Sequence, residues 1–280
     1  MQFHSFRLDH LDRHVPGECR LPDDGADLTA VLVLTDILLS RRHGFYPFLA
    51  ETLASDRLVV SFDAALSGYS AGSTDVDVGV ARTYSLGSEV VDALAVLTAL
   101  EDGTLPCSDV WDGQRLALIG HGKGAAVALH LDRRLREEGR PAPTALALLA
   151  APATLVREGW VGDEDRGLAV PVDPPSDGDG PDMVTLTPEF FDDARGLAET
   201  ATLKELIATT PTPVLVVAGE EDVVFPVAES EELMTAARAP KDRLVVVEKA
   251  GHHFGAGHPF GGAPTTLVHA NDVIDRFLRE

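Results

Sequence analysis

The segment 115-RLALIG-120 reads as a strand, 120-GHGKG-124 as a tight glycine-rich turn and 124-GAAVALHLDRRLREEG-139 as a helix. Strand, turn and helix in that order is the setting of a G-x-S-x-G elbow, whose central residue sits at strained positive φ and lifts its side chain into a site. Gly120 and Gly124 match the pattern, because such a turn packs strand closely against helix. Gly122 stands where the serine would be. Glycine accepts that backbone without strain, so the turn survives and its nucleophile is missing. Downstream, the strand 214-VLVVAG-219 places Asp222 just past its end, and 244-LVVVE-248 places His252 past the next one. A histidine base needs a carboxylate to fix its tautomer and orientation. Asp222 and His252 can form that pair with or without a nucleophile. Elbow, acid, histidine is one of the chain orders in which catalytic triads occur.

The elements that must position these residues are legible as short apolar runs. They are 30-AVLVLT-35, 57-RLVVSF-62, 115-RLALIG-120, 144-TALALLA-150, 213-PVLVVAG-219 and 243-RLVVVE-248. None alternates polar with apolar, which predicts strands buried on both faces of a parallel sheet. Helical spacing occupies 45–55, 87–102 (with Ser88 as N-cap), 124–139 (closing at Gly139), 226–239 and 265–280. The alternation predicts one α/β domain over 1–280, a doubly wound, mostly parallel sheet of about eight strands with helices on both faces. Residues 1–25 read as a hairpin on an antiparallel edge. Residues 152–210 break the rhythm. They show no clear strand, 171-PVDPPSDGDGPD-182 reads as irregular, and 188–197 and 200–208 read as short helices. The expectation is a small lid or cap-like insertion.

On these motifs the chain resembles the α/β-hydrolase superfamily, in particular its dienelactone-hydrolase-like bacterial branch. The resemblance covers about residues 25–280 apart from 160–185, and includes 44-GFYPFLAETLA-54 and 250-AGHHFGAGHPF-260. It implies the α/β-hydrolase fold, Asp222 as triad acid, His252 as base and Gly122 at the nucleophile position. It also implies an oxyanion hole after the strand 30–34, where such enzymes carry His-Gly. This chain has Thr35-Asp36-Ile37. A carboxylate from Asp36 beside the hole would repel the charge to be stabilised, while the backbone N–H of Lys123 would remain as a donor. Losing a serine nucleophile costs about 10⁶-fold in kcat, and a damaged hole roughly another 10²–10³. Read as two independent losses, Gly122 and Asp36 imply a decayed hydrolase mechanism.

Other residues could take part in the same chemistry. Ser67 and Ser70 follow the strand ending at Phe62 and could face the site, although 66-LSGYSAGS-73 also reads as a turn. Cys107 precedes its strand and belongs at the other end of the sheet. Lys123 could pair with Asp36 across the old hole, and His121 reads as a packing residue beneath the elbow. His121, His252, His253 and His258 fit no common metal-ligand spacing, so neither metal nor cofactor is expected.

Composition bounds the partners. Asp and Glu number 45 against 23 Lys and Arg, a net charge of −22, and the only lysines are Lys123, Lys204, Lys241 and Lys249. Arg133, Arg134 and Arg136 are flanked by acids, so nucleic acid and anionic membranes are disfavoured. A solvated acidic surface of a salt-adapted kind fits better. Two cysteines are too few for a disulfide framework, no apolar h-region opens the chain and no run spans a bilayer. The expectation is a cytoplasmic protein of unassigned oligomeric state with a small-molecule ligand. The leading reading is a pseudo-hydrolase that binds a small molecule or a protein. The alternative is an active enzyme using the His252–Asp222 pair as general base, of hydrolase, lyase or cofactor-free oxygenase type, including weak hydrolysis by a His252-activated water.

Overall fold

The computed structural model describes residues 1–70, 76–156, 167–171 and 183–280. An eight-stranded sheet forms its centre. In chain order its strands are β1 (Gln2–His10), β2 (Arg13–Leu21), β3 (Leu28–Leu34), β4 (Leu58–Phe62), β5 (Trp111–His121), β6 (Ala145–Leu149), β9 (Val214–Gly219) and β10 (Arg243–Val247), with a separate pair β7 (Leu168–Pro171) and β8 (Met183–Leu186) between β6 and β9. The spatial order is β1-β2-β4-β3-β5-β6-β9-β10. From β4 to β10 all neighbours are parallel. The β1–β2 hairpin joins β4 antiparallel, as the first 25 residues predict.

The helices are α1 (Tyr46–Leu53), α2 (Val78–Ala81), α3 (Leu86–Glu101), α4 (Lys123–Glu137), α5 (Glu189–Thr200), α6 (Leu203–Thr209), α7 (Val227–Met234) and α8 (Thr265–Leu278). Val31, Val33, Ala117, Ile119, Leu215 and Val217 pack in one core cluster with α1 and α8. Their neighbours Leu32, Leu34, Leu118, Val214 and Val216 pack on the other face with α3, α4, α5 and α6. Successive side chains of a strand point to opposite faces. From β3 to β9 in the main sheet both faces are covered, so those runs are apolar throughout and do not alternate; β10, at the sheet edge, departs from the expectation, being only partly buried with Val246 exposed.

Three local readings need correction. Helix α3 starts one turn earlier than read: Ser85, not Ser88, is its cap, and the Ser85 hydroxyl accepts the Ser88 N–H. Helix α7 ends at Met234, short of 239. The 152–210 insertion does contain strands, since Leu168–Pro171 and Met183–Leu186 pair antiparallel. The alternating burial of Met183–Leu186 marks a half-buried strand, too short to stand out in sequence. Most of 171–182 lies outside the described residues. Cys19 of β2 and Cys107, in the loop before β5, form a buried disulfide. Two cysteines build no framework, but they make one crosslink. Among the described residues no helix is long and apolar enough to cross a membrane.

The chain runs from β3 outward to β4, then crosses back to place β5 on the other side of β3. The loops after β3 and β5 therefore diverge, opening a crevice at the carboxyl ends of the strands. Asp36 leaves β3 on one side of it, and Gly122 leaves β5 on the other.

Candidate active site

Gly122 forms the apex of the turn between β5 and α4, at φ +56° and ψ −122°. Its neighbours explain the flanking glycines. A Cβ on Gly120 would overlap the Gly124 carbonyl, and one on Gly124 would overlap the carbonyl oxygens of Leu34 and Thr35. A Cβ on Gly122 would meet a different obstacle: it would overlap all three atoms of the Asp36 carboxyl group. The Asp36 side chain fills the room that a side chain at the apex would need.

That carboxylate is held at both oxygens. Oδ1 accepts the backbone N–H of Lys123 (2.7 Å) and of Ile37 (2.8 Å). Oδ2 lies 3.0 Å from His252 Nε2. On the far side of the ring, Nδ1 lies 2.9 Å from Asp222 Oδ2, while Asp222 Oδ1 accepts the N–H groups of Val224 (2.8 Å) and Phe225 (2.9 Å). Asp36, His252 and Asp222 thus form a carboxylate–imidazole–carboxylate array. The side chains of Asp36 and His252 are each 10% exposed and that of Asp222 is fully buried, so the first two are the open members.

The electrostatics follow from these bonds. Burial pushes the His252 pKa down, but the hydrogen bonds and charges of Asp222 and Asp36 outweigh it and raise it to about 9. The ring is an imidazolium at neutral pH and donates from both nitrogens. For Asp36, burial pushes upward, and the hydrogen bond and charge of His252, with the Lys123 N–H, outweigh it. Its carboxyl is held well below the ordinary carboxylate range. Lys123 is the first residue of α4, so the positive end of the helix dipole also faces the anion.

A second layer fixes the two loops. The Tyr46 hydroxyl accepts the Asp36 N–H at 2.8 Å and donates to His121 Nδ1 at 2.8 Å, and His121 Nε2–H donates to the His252 carbonyl at 3.0 Å. Burial, with the charge of His252, drives the His121 pKa far down, and burial with the charge of Asp36 drives that of Tyr46 far up. Both are neutral, as the chain of bonds requires. His121 is therefore a strut between the Asp36 and His252 loops, beyond the packing role read from sequence. Tyr46 was missed, since a tyrosine early in an amphipathic helix carries no distinguishing signal.

Several sequence expectations fall in place differently. The Lys123 N–H does not remain a vacant donor, because Asp36 occupies it. Asp36 sits inside the expected hole with its charge compensated, so the two donors attract it. The Lys123 ammonium does not pair with Asp36: Nζ reaches the carbonyls of Leu155 (2.9 Å) and Thr154 (3.5 Å) and lies 5.5 Å from the Phe225 ring centre. The Ser67 hydroxyl is buried and donates to the Ala64 carbonyl at 2.6 Å, a turn role, and Ser70 is exposed. One nitrogen each of His121, His252 and His253 come within 4.8 Å of one another. Both nitrogens of His121 and both of His252 are already committed to hydrogen bonds, so the group is a poor metal cage. His258 stacks on His43 at 4.3 Å and its Nδ1 accepts the Gly44 N–H.

The model of the Alpha/beta hydrolase family matches residues 37–270. The chain belongs to this family. Its fold is similar to that of Est1E from Butyrivibrio proteoclasticus, with 14% identity, 98% of this chain and 97% of that chain covered, and a TM-score of 0.67. It is also similar to a putative hydrolase from Agrobacterium vitis S4 (16%, 99% and 98%, 0.67) and to the esterase domain of a Rhodothermus marinus protein (17%, 100% and 99%, 0.64). At these identities the likeness is one of fold. Among curated proteins none matches this sequence.

Proposed function

We propose that this α/β-hydrolase-family chain is an enzyme that does not use the serine acyl-enzyme route, and that its working groups are the Asp36–His252 ion pair with Asp222 behind it. The observation that carries this is the place of the Asp36 carboxylate, in the room of an apex side chain and on the two N–H donors that an ester oxyanion would need. Serine-type ester hydrolysis is impaired twice over in this reading, as the sequence suggested. The two features are not independent losses: Asp36 fits only because residue 122 lacks a side chain.

The pairing of every carboxylate oxygen at 2.7–3.0 Å supports a retained activity over a decayed binding protein. His252 is not a free base at rest, because it is protonated and its Nε2 faces Asp36. A water activated directly by His252 is accordingly disfavoured until Asp36 changes its charge. The substrate is a small molecule, handled without metal or cofactor. The segments 44–54 and 250–260, similar to those of dienelactone-hydrolase-like bacterial enzymes, belong to this reading, with 152–210 as its cap.

A fluorophosphonate probe tests the first half. The wild type is expected to stay unlabelled, and the Gly122→Ser, Asp36→Gly double variant to label; strong labelling of the wild type overturns the proposal. The second half is tested by incubating a small-molecule cell extract with the protein. Compounds should disappear with the wild type and persist with Asp36→Asn; identical profiles would return the chain to a binding role.

A further inference from the structure

We infer that the chain carries a second small-molecule site, a groove between α3 and α4 that takes an uncharged, mostly apolar compound with one hydroxyl group, such as an alkylphenol or an alkanol. The site is separate from the Asp36–His252 pair and does not rest on the reading above.

The groove has a volume of about 780 Å³, within the range of ligand sites. Helix α3 supplies one wall through Val90, Val91, Leu94 and Ala95, which recur at the spacing of a single helix face. Helix α4 supplies the other, from His130 to Glu137, and His10 at the end of β1 joins the lining. Lys123, where α4 opens onto the crevice, precedes His130 by seven residues, about 10 Å along the helix. Away from that end the groove reaches Asp102 and Thr104, in the segment between α3 and β5. It therefore lies toward the amino ends of the strands, whereas the crevice lies at their carboxyl ends.

Unspent hydrogen-bonding capacity sets the polar end of the ligand. The Nε2 atoms of His10 and His130 are buried and have no partner among the described residues, and His130 as a whole is 6% exposed. Buried polar atoms are nearly always partnered, since an orphan forfeits its hydration. An imidazole turns about its Cβ–Cγ bond between two broad minima, which brings a nitrogen to the groove side when a partner arrives there. The His130 pKa is pushed down to about 4, by burial first and then by the charge of Arg133, against the pull of Glu137. The ring is neutral at pH 7, with one nitrogen a donor and the other an acceptor. A hydroxyl both donates and accepts, so it meets either nitrogen.

Compensated charge sets the rest. Arg133 and Arg134, also in the lining, each hold a carboxylate one turn on: Nε to Glu137 Oε1 and Nε to Glu138 Oε1, both at 2.7 Å. Their charge is matched within the helix. An anion would also meet Asp102 and Glu137 in the same lining, in a chain of net charge −22. A cation would meet Arg133 beside His130. Val90 and Leu94 are only half-buried and Val91 is exposed, so the gain from covering them goes to an apolar body.

The test compares three compounds of similar shape on the full chain: 4-ethylphenol, 4-ethyltoluene and the 4-ethylbenzoate anion. Affinity is read by calorimetry and location by the imidazole ¹⁵N resonances. 4-Ethylphenol is expected to saturate the protein, to shift His10 and His130 rather than His252, and to bind at least about 5-fold more tightly than either analogue. His130→Leu should erase most of that preference by weakening the phenol alone, and Ala95→Trp should block phenol and hydrocarbon together. The wild-type comparison needs no variant to fold. Equal affinity for phenol and hydrocarbon, tighter binding of the benzoate, shifts confined to His252, phenol binding unchanged in both variants, or no saturable binding overturns the assignment.

Discussion

Two buried acids, Asp36 after β3 and Glu89 in α3, meet opposite fates. Asp36 is ionised far below the ordinary range. Glu89 is pushed up to about 8, by burial first and by the charges of Asp92, Asp36 and Asp63, against a hydrogen bond from Tyr84 that pulls it down. Burial is shared, so it does not explain the difference. Donors do. Asp36 has two backbone N–H groups and an imidazolium, whereas Glu89, although it too lies at a helix N-terminus, in the first turn of α3, accepts from one phenol and sits among other acids. An anion kept ready for chemistry needs donors enough to replace water, and the crevice supplies them to Asp36 and Asp222, whereas the α3 site does not supply them to Glu89.

The most forceful way to break the comparison is to take away the imidazolium. His252→Ala leaves Asp36 and Asp222 facing each other without a cation, and is expected to cost about 3–5 kcal/mol in urea unfolding at pH 6. A loss below about 1 kcal/mol would mean that the backbone donors alone tame Asp36.

A smaller effect tests the coupling of Asp36 to the apex. Gly122→Ser should destabilise by roughly 2–3 kcal/mol, from strained φ and from eviction of the Asp36 carboxylate. Asp36→Gly added to it should restore about 1–3 kcal/mol, a non-additive cycle measurable by the same unfolding curves. Additive values would show that the two positions changed independently.

The smallest effect sharpens the contrast through pH. The His252 pKa is raised from 6.5 to about 9, so its contribution is complete below 6.5 and is lost as pH rises toward 9. The Asp36 pKa is depressed, so its contribution is present above about pH 4 and is lost in acid. The Glu89 pKa is raised from 4.5 to about 8: folded protein holds a proton that unfolded chain releases, and stability falls as pH rises through that range. Glu89→Gln should therefore be nearly neutral at pH 4.5, stabilise by about 1 kcal/mol or more at pH 8, and flatten part of the alkaline decline. An unchanged pH profile would show that Glu89 is ionised like Asp36.

Much of this was legible in the chain before folding. The apolar runs marked every strand from β3 to β6 and β9, because strands covered on both faces can be built only from such runs, and marked β10 at the sheet edge as well. Glycines at 120, 122 and 124 marked the elbow, since only close backbone packing and positive φ demand all three. Asp222 and His252 could be placed at strand ends by counting from those runs. The strands β7 and β8 were not legible, being four residues each. The Ser85 cap was misread by one turn because Ser85 and Ser88 carry equal propensity, and only the tertiary start of α3 separates them.

The sequence by itself determined the strands of the main sheet, the order of the loops at their ends and the absence of a side chain at the apex. It also showed an acid at position 36, whose charge alone suggested repulsion. Only the tertiary structure decided where that acid points. A side chain goes to the donors and the space left by its neighbours, and the decisive ones here, the Lys123 N–H and the emptiness at Gly122, come from a turn 86 to 87 residues away along the chain. Spacing along a sequence fixes the period of a strand or a helix; it cannot say which two loops will share a cavity.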